Sequence, residues 1–133
     1  MALTWDTTLV MGVPALDEQH QELFQRVDAL LDAIRRGSSR EEVGRTLSFV
    51  CDYVQTHFAA EEALMLESGY PALSDHKAQH DAFAHDLAAL EAEHRRNGPS
   101  PSLILRVNAR ISGWLRDHIY RADRALAEHL RAV

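Results

Sequence analysis

The sequence predicts an all-α protein: an up-down-up-down antiparallel four-helix bundle with an N-terminal arm. Three observations carry that prediction. Helix breakers cluster at only three places, Gly37-Ser38-Ser39, Gly69-Tyr70-Pro71 and Asn97-Gly98-Pro99-Ser100-Pro101. Between them apolar residues recur at steps of three and four, and no stretch shows the strict alternation of a strand. Long helices joined by connections this short must fold back on their neighbours, which makes the bundle antiparallel.

Each element follows from its own residues. Residues 1–16, with Trp5, Pro14 and little periodicity, form the arm. The first helix, near 17–36, aligns Leu23, Phe24, Val27, Leu30, Leu31 and Ile34 on one face, and Gly37 suits a left-handed C-terminal position. The second, near 40–68, opens on a capping box, Ser39 with Glu42, and carries Val43, Leu47, Val50, Val54 and Phe58. The third, near 72–97, is thinner in large residues, with Leu73, Phe83, Leu87 and Leu90 among alanines, and Gly98 closes it. The fourth, near 101–130, has Ser100 as N-cap before Pro101 and presents Leu103, Val107, Ile111, Trp114, Leu115, Ile119 and Leu126. All of 1–133 reads as one domain, with no internal repeat and no linker.

Composition limits the function classes. A chain of 133 residues, 46% hydrophobic and 26% charged, is long enough to close one core without staples. Its net charge of -6 disfavours phosphate backbones and anionic lipids, so neither nucleic acid nor a membrane is an expected partner. The single cysteine, Cys51, cannot pair within the chain, the N-terminus does not read as a signal peptide, and no apolar run is long enough to cross a bilayer. A cytoplasmic location is the expectation.

The apolar stripes are interrupted by residues of one chemical kind. His20 precedes Leu23, Phe24 and Val27 on the inward face of the first helix. On the second, Val50 and Val54 lead to His57 and, four residues on, Glu61. His76 and His80 share a face of the third helix with Phe83 and Leu87. On the fourth, Ile111 and Trp114 lead to His118, and Asp123 lies five residues later, about 140° around an α-helix, at the edge of the stripe. Seven buried polar groups without partners, at about 1 to 3 kcal/mol each, would cost as much as a whole domain's stability. Five imidazoles against two carboxylates leave too few acceptors, whereas metal ions use every lone pair offered. His20, His57, Glu61, His76, His80, His118 and Asp123 are therefore the candidate metal ligands. His85, His94 and His129 lack matching partners on other helices and read as surface or boundary residues, and Glu62 and Glu67 read as solvated.

Imidazole with carboxylate suits zinc, iron, copper or manganese, and a single tetrahedral zinc would leave three donors unused. Two octahedral ions account for the set if both acids bridge. Five imidazoles, two bridging carboxylates and one bridging oxide or hydroxide then fill every position but one, and iron becomes the natural candidate. No convergent acid and base stands outside the donor set, so the chain is not expected to be an enzyme.

The run Leu16-Asp17-Glu18-Gln19-His20, the segment His57-Phe58-Ala59-Ala60-Glu61-Glu62, Gly69-Tyr70-Pro71 with His76-x-x-x-His80, and Trp114-Leu115-Arg116-Asp117-His118-Ile119 with Asp123 resemble the hemerythrin family in its bacterial single-domain form. Trp5 and Gly12 fit the family's opening, and the likeness spans almost the whole chain. The resemblance implies a cofactor of two iron ions, a non-haem di-iron centre with an oxo or hydroxo bridge that binds dioxygen reversibly. It implies that His76, His80 and His118 hold one iron, that His20 and His57 hold the second, which keeps the open position, and that Glu61 and Asp123 bridge them. Arg121 departs from the family, whose oxygen carriers usually have a small or apolar residue there; an outward orientation is expected, because an unpaired buried arginine is costly. Dioxygen storage, delivery or sensing is the implied function, compatible with a redox or oxygen-accepting protein partner. The alternative is a di-iron redox enzyme acting on peroxide, nitric oxide or ferrous iron.

Overall fold

A computed structural model describes residues 9–132 of the chain. Four long helices run through them: α1 Pro14–Arg35, α2 Arg40–Ser68, α3 Leu73–Asn97, and α4 over residues 101–132. They form the four-helix bundle that the breakers and the helical period predict.

The helix ends follow local chemistry. Ser39 Oγ accepts from Glu42 N at 3.1 Å and opens α2. Ser100 Oγ accepts from Leu103 N at 3.1 Å, with Pro101 in the first turn of α4. Gly69, at φ 66°, ends α2 in the left-handed region, and Tyr70 N returns to Met65 O at 2.9 Å.

Helix α1 begins at Pro14, inside the segment expected to be arm. The reason is a small network at its N-terminus. The Asp17 carboxylate accepts from Met11 N at 2.8 Å and Gly12 N at 3.1 Å, and Asp17 N donates to Val13 O at 2.9 Å. These bonds draw the chain into helix early, while Leu9 and Met11 bury their side chains in the core. The guanidinium of Arg131 donates to Met11 O and ties the end of α4 to this segment. The rest of the expected arm, residues 1–8 with Trp5, lies outside the described residues.

Helix α4 is not regular. Pro101–Asn108, Trp114–His118 and Arg124–Ala132 are α-helical, and the turns Ala109–Gly113 and Ile119–Asp123 between them are π-helical. Each π turn closes i→i+5 bonds and accommodates one residue more than an α turn. Residues beyond it are rotated by about 100° relative to an uninterrupted α-helix.

The apolar interior has two parts. The larger joins Leu23, Phe24, Val27, Leu47, Val50, Val54, Phe58, Phe83, Leu87, Leu115 and Ile119 with their neighbours. The smaller is Leu16, Met65 and Leu126, with Tyr70 and Leu73 packed against it. Leu16 and Leu23 bracket His20 on α1, Phe58 and Met65 bracket Glu61 on α2, and Ile119 and Leu126 bracket Asp123 on α4. A polar layer therefore crosses the bundle between two apolar ones. No described helix is long and apolar enough to cross a membrane.

Candidate metal centre

The polar layer holds all seven side chains singled out in the sequence. His20, His57, Glu61, His76, His80, His118 and Asp123 are each at most 4% exposed. Their donor atoms fall into two groups, Glu61, His76, His80, His118 and Asp123 in one, His20, His57, Glu61 and Asp123 in the other. Both contain the two carboxylates, and the second has one donor fewer.

Glu61 sits at the junction. Its Oε1 lies 3.2 Å from His76 Nε2 and 3.1 Å from His80 Nε2, and its Oε2 lies 3.3 Å from His20 Nε2 and 3.0 Å from His57 Nε2. Asp123 spans the same two groups, with Oδ1 3.0 Å from His76 Nε2 and 3.1 Å from His118 Nε2, and Oδ2 3.1 Å from His20 Nε2. Both Asp123 oxygens are buried against these imidazoles.

Asp123 is fully buried rather than at the edge of the stripe. The edge position holds only for a regular α-helix, in which five residues carry a side chain about 140° around. The π turn Ile119–Asp123 instead sets Asp123 beneath His118. Beyond it, Leu126 and Ala127 are both buried.

The imidazoles are oriented from behind. His57 Nδ1 is 2.8 Å from Gln19 Oε1, His118 Nδ1 is 2.9 Å from Gln79 Oε1, and His80 Nδ1 is 3.0 Å from Glu62 Oε2. An oxygen acceptor at Nδ1 places the proton there and turns the lone pair of Nε2 inward. Glu62 is thus not simply solvated as expected: it is half-buried against His80. None of the three acceptors interrupts an apolar stripe, so the periodicity that picks out the histidines passes over them. Their signal is relative position, for Gln19 and Gln79 each directly precede a candidate histidine and Glu62 directly follows Glu61.

Aromatic rings wall the three-histidine side. Phe58 stacks on His80 with centroids 3.7 Å apart and an interplanar angle of 1°. Trp114 stacks on His118 at 4.3 Å, and Phe83 covers the far face of Trp114 at 3.9 Å. These stacks fix the rings and keep water from their faces.

The donor set fits a metal site. His118 Nε2 is 3.2 Å from both His80 Nε2 and His76 Nε2. Lone pairs aimed at one another over that distance repel unless a positive charge lies among them. With the protein's own groups alone, protons fill that role. Burial opposes charging His20 and His76, but the Asp123 and Glu61 carboxylates outweigh it and raise both to about 9. Burial likewise opposes ionising Glu61 and Asp123, and their imidazole neighbours hold both below the ordinary carboxylate range.

The other histidines lie elsewhere. His85 is exposed, and His129 is half-buried with Nε2 3.0 Å from Ser68 O. His94 differs from the surface or boundary expectation, since it is 4% exposed. Its ring lies over Gly44 of α2, where a Cβ would come within 3.1 Å of Cε1, so the absent side chain of one helix admits the imidazole of another. Glu67 is exposed, and Arg121 turns outward to Asp117, Nε to Oδ1 at 2.8 Å.

Comparisons with known proteins agree with this geometry. The family model described as Hemerythrin HHE cation binding domain matches residues 11–130. The chain is 33% identical to a bacteriohemerythrin of Stenotrophomonas maltophilia (strain R551-3), over 98% of this chain and 82% of that one. It is 31% identical to a bacteriohemerythrin of Methylococcus capsulatus, over 98% of each. A solved wild-type hemerythrin structure superposes with a TM-score of 0.85 at 28% identity, and a hemerythrin point mutant with 0.85 at 30%, each covering 98% of both chains.

Proposed function

We propose that this chain, which belongs to the hemerythrin family, binds dioxygen reversibly at a non-haem di-iron centre, for oxygen storage, delivery or sensing. In this reading His76, His80 and His118 hold one iron, His20 and His57 hold the other, and Glu61 and Asp123 bridge the pair. The observation that carries it is the convergence of five imidazole Nε2 atoms and two carboxylates on two adjoining points, one served by one donor fewer. The position with fewer protein donors is where a small ligand docks.

An iron pair, when bound, supplies the two electrons that dioxygen takes up reversibly. The chain's residues do the rest. Gln19, Glu62 and Gln79 hold protons at the Nδ1 atoms of His57, His80 and His118, which keeps each Nε2 available as a donor. Glu61 and Asp123 bring two negative charges into the layer and offset most of the charge of two divalent ions. Phe58, Trp114 and Ile119 exclude water, and a dry site favours reversible binding over loss of electrons to solvent. Arg121, turned to Asp117, leaves that dryness intact.

Iron analysis of the full chain together with optical spectroscopy tests the proposal. About two irons per chain are expected, with colour developing when the reduced protein meets air and bleaching under vacuum. His57→Ala should lower the iron content. Oxidation that vacuum cannot reverse, or unchanged iron in His57→Ala, would overturn the assignment.

A further inference from the structure

The three acceptors behind the imidazoles are not alike. Gln19 behind His57 and Gln79 behind His118 are neutral amides, whereas Glu62 behind His80 is a carboxylate. Its Oε2 is the atom on His80 Nδ1, at 3.0 Å, and its Oε1 faces Lys77 Nζ at 3.8 Å. Lys77 is half exposed and lies closer to Asp81, at 3.1 Å, so it does not neutralise Glu62 alone.

A carboxylate that accepts a hydrogen bond from the imidazole N–H draws the proton partway from the ring and leaves more negative charge on the opposite nitrogen. That nitrogen, His80 Nε2, belongs to the group of three imidazoles. It is also shielded, because His80 is 1% exposed and Phe58 lies flat against its ring, so water screens little of the effect. On the other side, His57 has a neutral partner.

We infer that Glu62 is a charged positioning residue that acts through His80 to make the two metal positions electronically unequal, the three-histidine position being the one that better stabilises the higher oxidation state. This rests on the di-iron reading above. It gives the two sides separate tasks. The position served by His76, His80 and His118 holds its charge, and the position served by His20 and His57 keeps the open place for the ligand.

The test uses the full chain with Glu62→Gln, which keeps an oxygen acceptor at the same place and removes the charge. In the iron-loaded protein, spectroelectrochemistry should show the lower-potential step of the pair moving positive by about a tenfold change in its oxidised-to-reduced ratio, about 59 mV for one electron. Gln79→Glu, which places a second carboxylate behind the same metal position, should move that step the opposite way. The metal-free chain gives a second readout, with cobalt(II) as the probe. Glu62→Gln should weaken its apparent affinity by roughly tenfold to a hundredfold, and exposed Glu67→Gln should leave it unchanged. Unaltered potentials and cobalt affinity in a folded Glu62→Gln protein would overturn the inference, as would an equal effect from Glu67→Gln. A wild-type chain that takes up cobalt but no iron would instead sink the di-iron reading, and the cobalt comparison would still decide the role of Glu62.

Discussion

Asp123 Oδ1 lies 3.1 Å from His118 Nε2, five residues earlier on the same helix. Neighbours on an α-helix face are three or four residues apart, so this pairing exists only because the turn between them is π-helical. Asp123 thereby joins the same polar layer as Glu61, which reaches it from α2 by an ordinary four-residue step from His57.

Moving that carboxylate by one residue should empty the site while sparing the fold. In the double variant Ala122→Asp, Asp123→Ala, composition is unchanged, and the buried Leu126 and Ala127 beyond the turn are untouched. Helix content by circular dichroism should stay near wild type, and metal per chain should fall severalfold. Retention of the full metal complement would refute the dependence on the π turn.

Metal-free and metal-loaded protein should respond to pH in opposite ways. In the metal-free chain His20 and His76 are raised from 6.5 to about 9, so their stabilising contribution is complete below pH 6.5 and is lost as pH climbs through 9. On the proposed assignment, coordination keeps the same imidazoles deprotonated in the loaded chain. Its stability should fall below about pH 6.5, where the unfolded chain takes up protons, and level off above. Thermal unfolding of both forms between about pH 5 and 9 checks this, and parallel curves would contradict it.

Gly44 and His94 should be energetically coupled. Gly44→Ala gains about 1 kcal/mol of helix propensity but crowds His94 Cε1 at 3.1 Å, an overpacking cost of about 1 to 3 kcal/mol. Net destabilisation of about 1 kcal/mol is expected. In a His94→Ala background the same change should stabilise by about 1 kcal/mol, a reversal of sign readable from urea midpoints.

Cys51 should be nearly inert in the native protein. Burial, with the charges of Glu91 and Asp52 adding to it, pushes its thiol up to about 12. Alkylation by iodoacetamide at about pH 8 should be at least about a hundredfold slower than in urea, because the thiolate is the reacting form. Comparable rates in both conditions would show that the thiol is accessible and ionised.

The bundle is legible in the sequence because its breakers are few and its apolar spacing is regular. The same spacing exposes the polar layer, since His20, His57 and His80 fall where a leucine would otherwise stand. Three features stay hidden for physical reasons. The π turns of α4 leave no mark in a pattern read at a fixed 100° per residue, so Asp123 reads as marginal. Gln19, Glu62 and Gln79 act from the outer side of each ring, where polar residues are ordinary. His94 is buried by what α2 lacks at Gly44, and a missing side chain on a distant helix carries no local periodicity.

On the proposed assignment, the stacking of Trp114 on His118 provides an optical gauge of the metal centre. An indole in face contact with a metal-binding ring loses its excited state to any open-shell ion that ring carries. Loading, oxidation and release should each register as a change in ultraviolet emission from this bundle, with no dye attached.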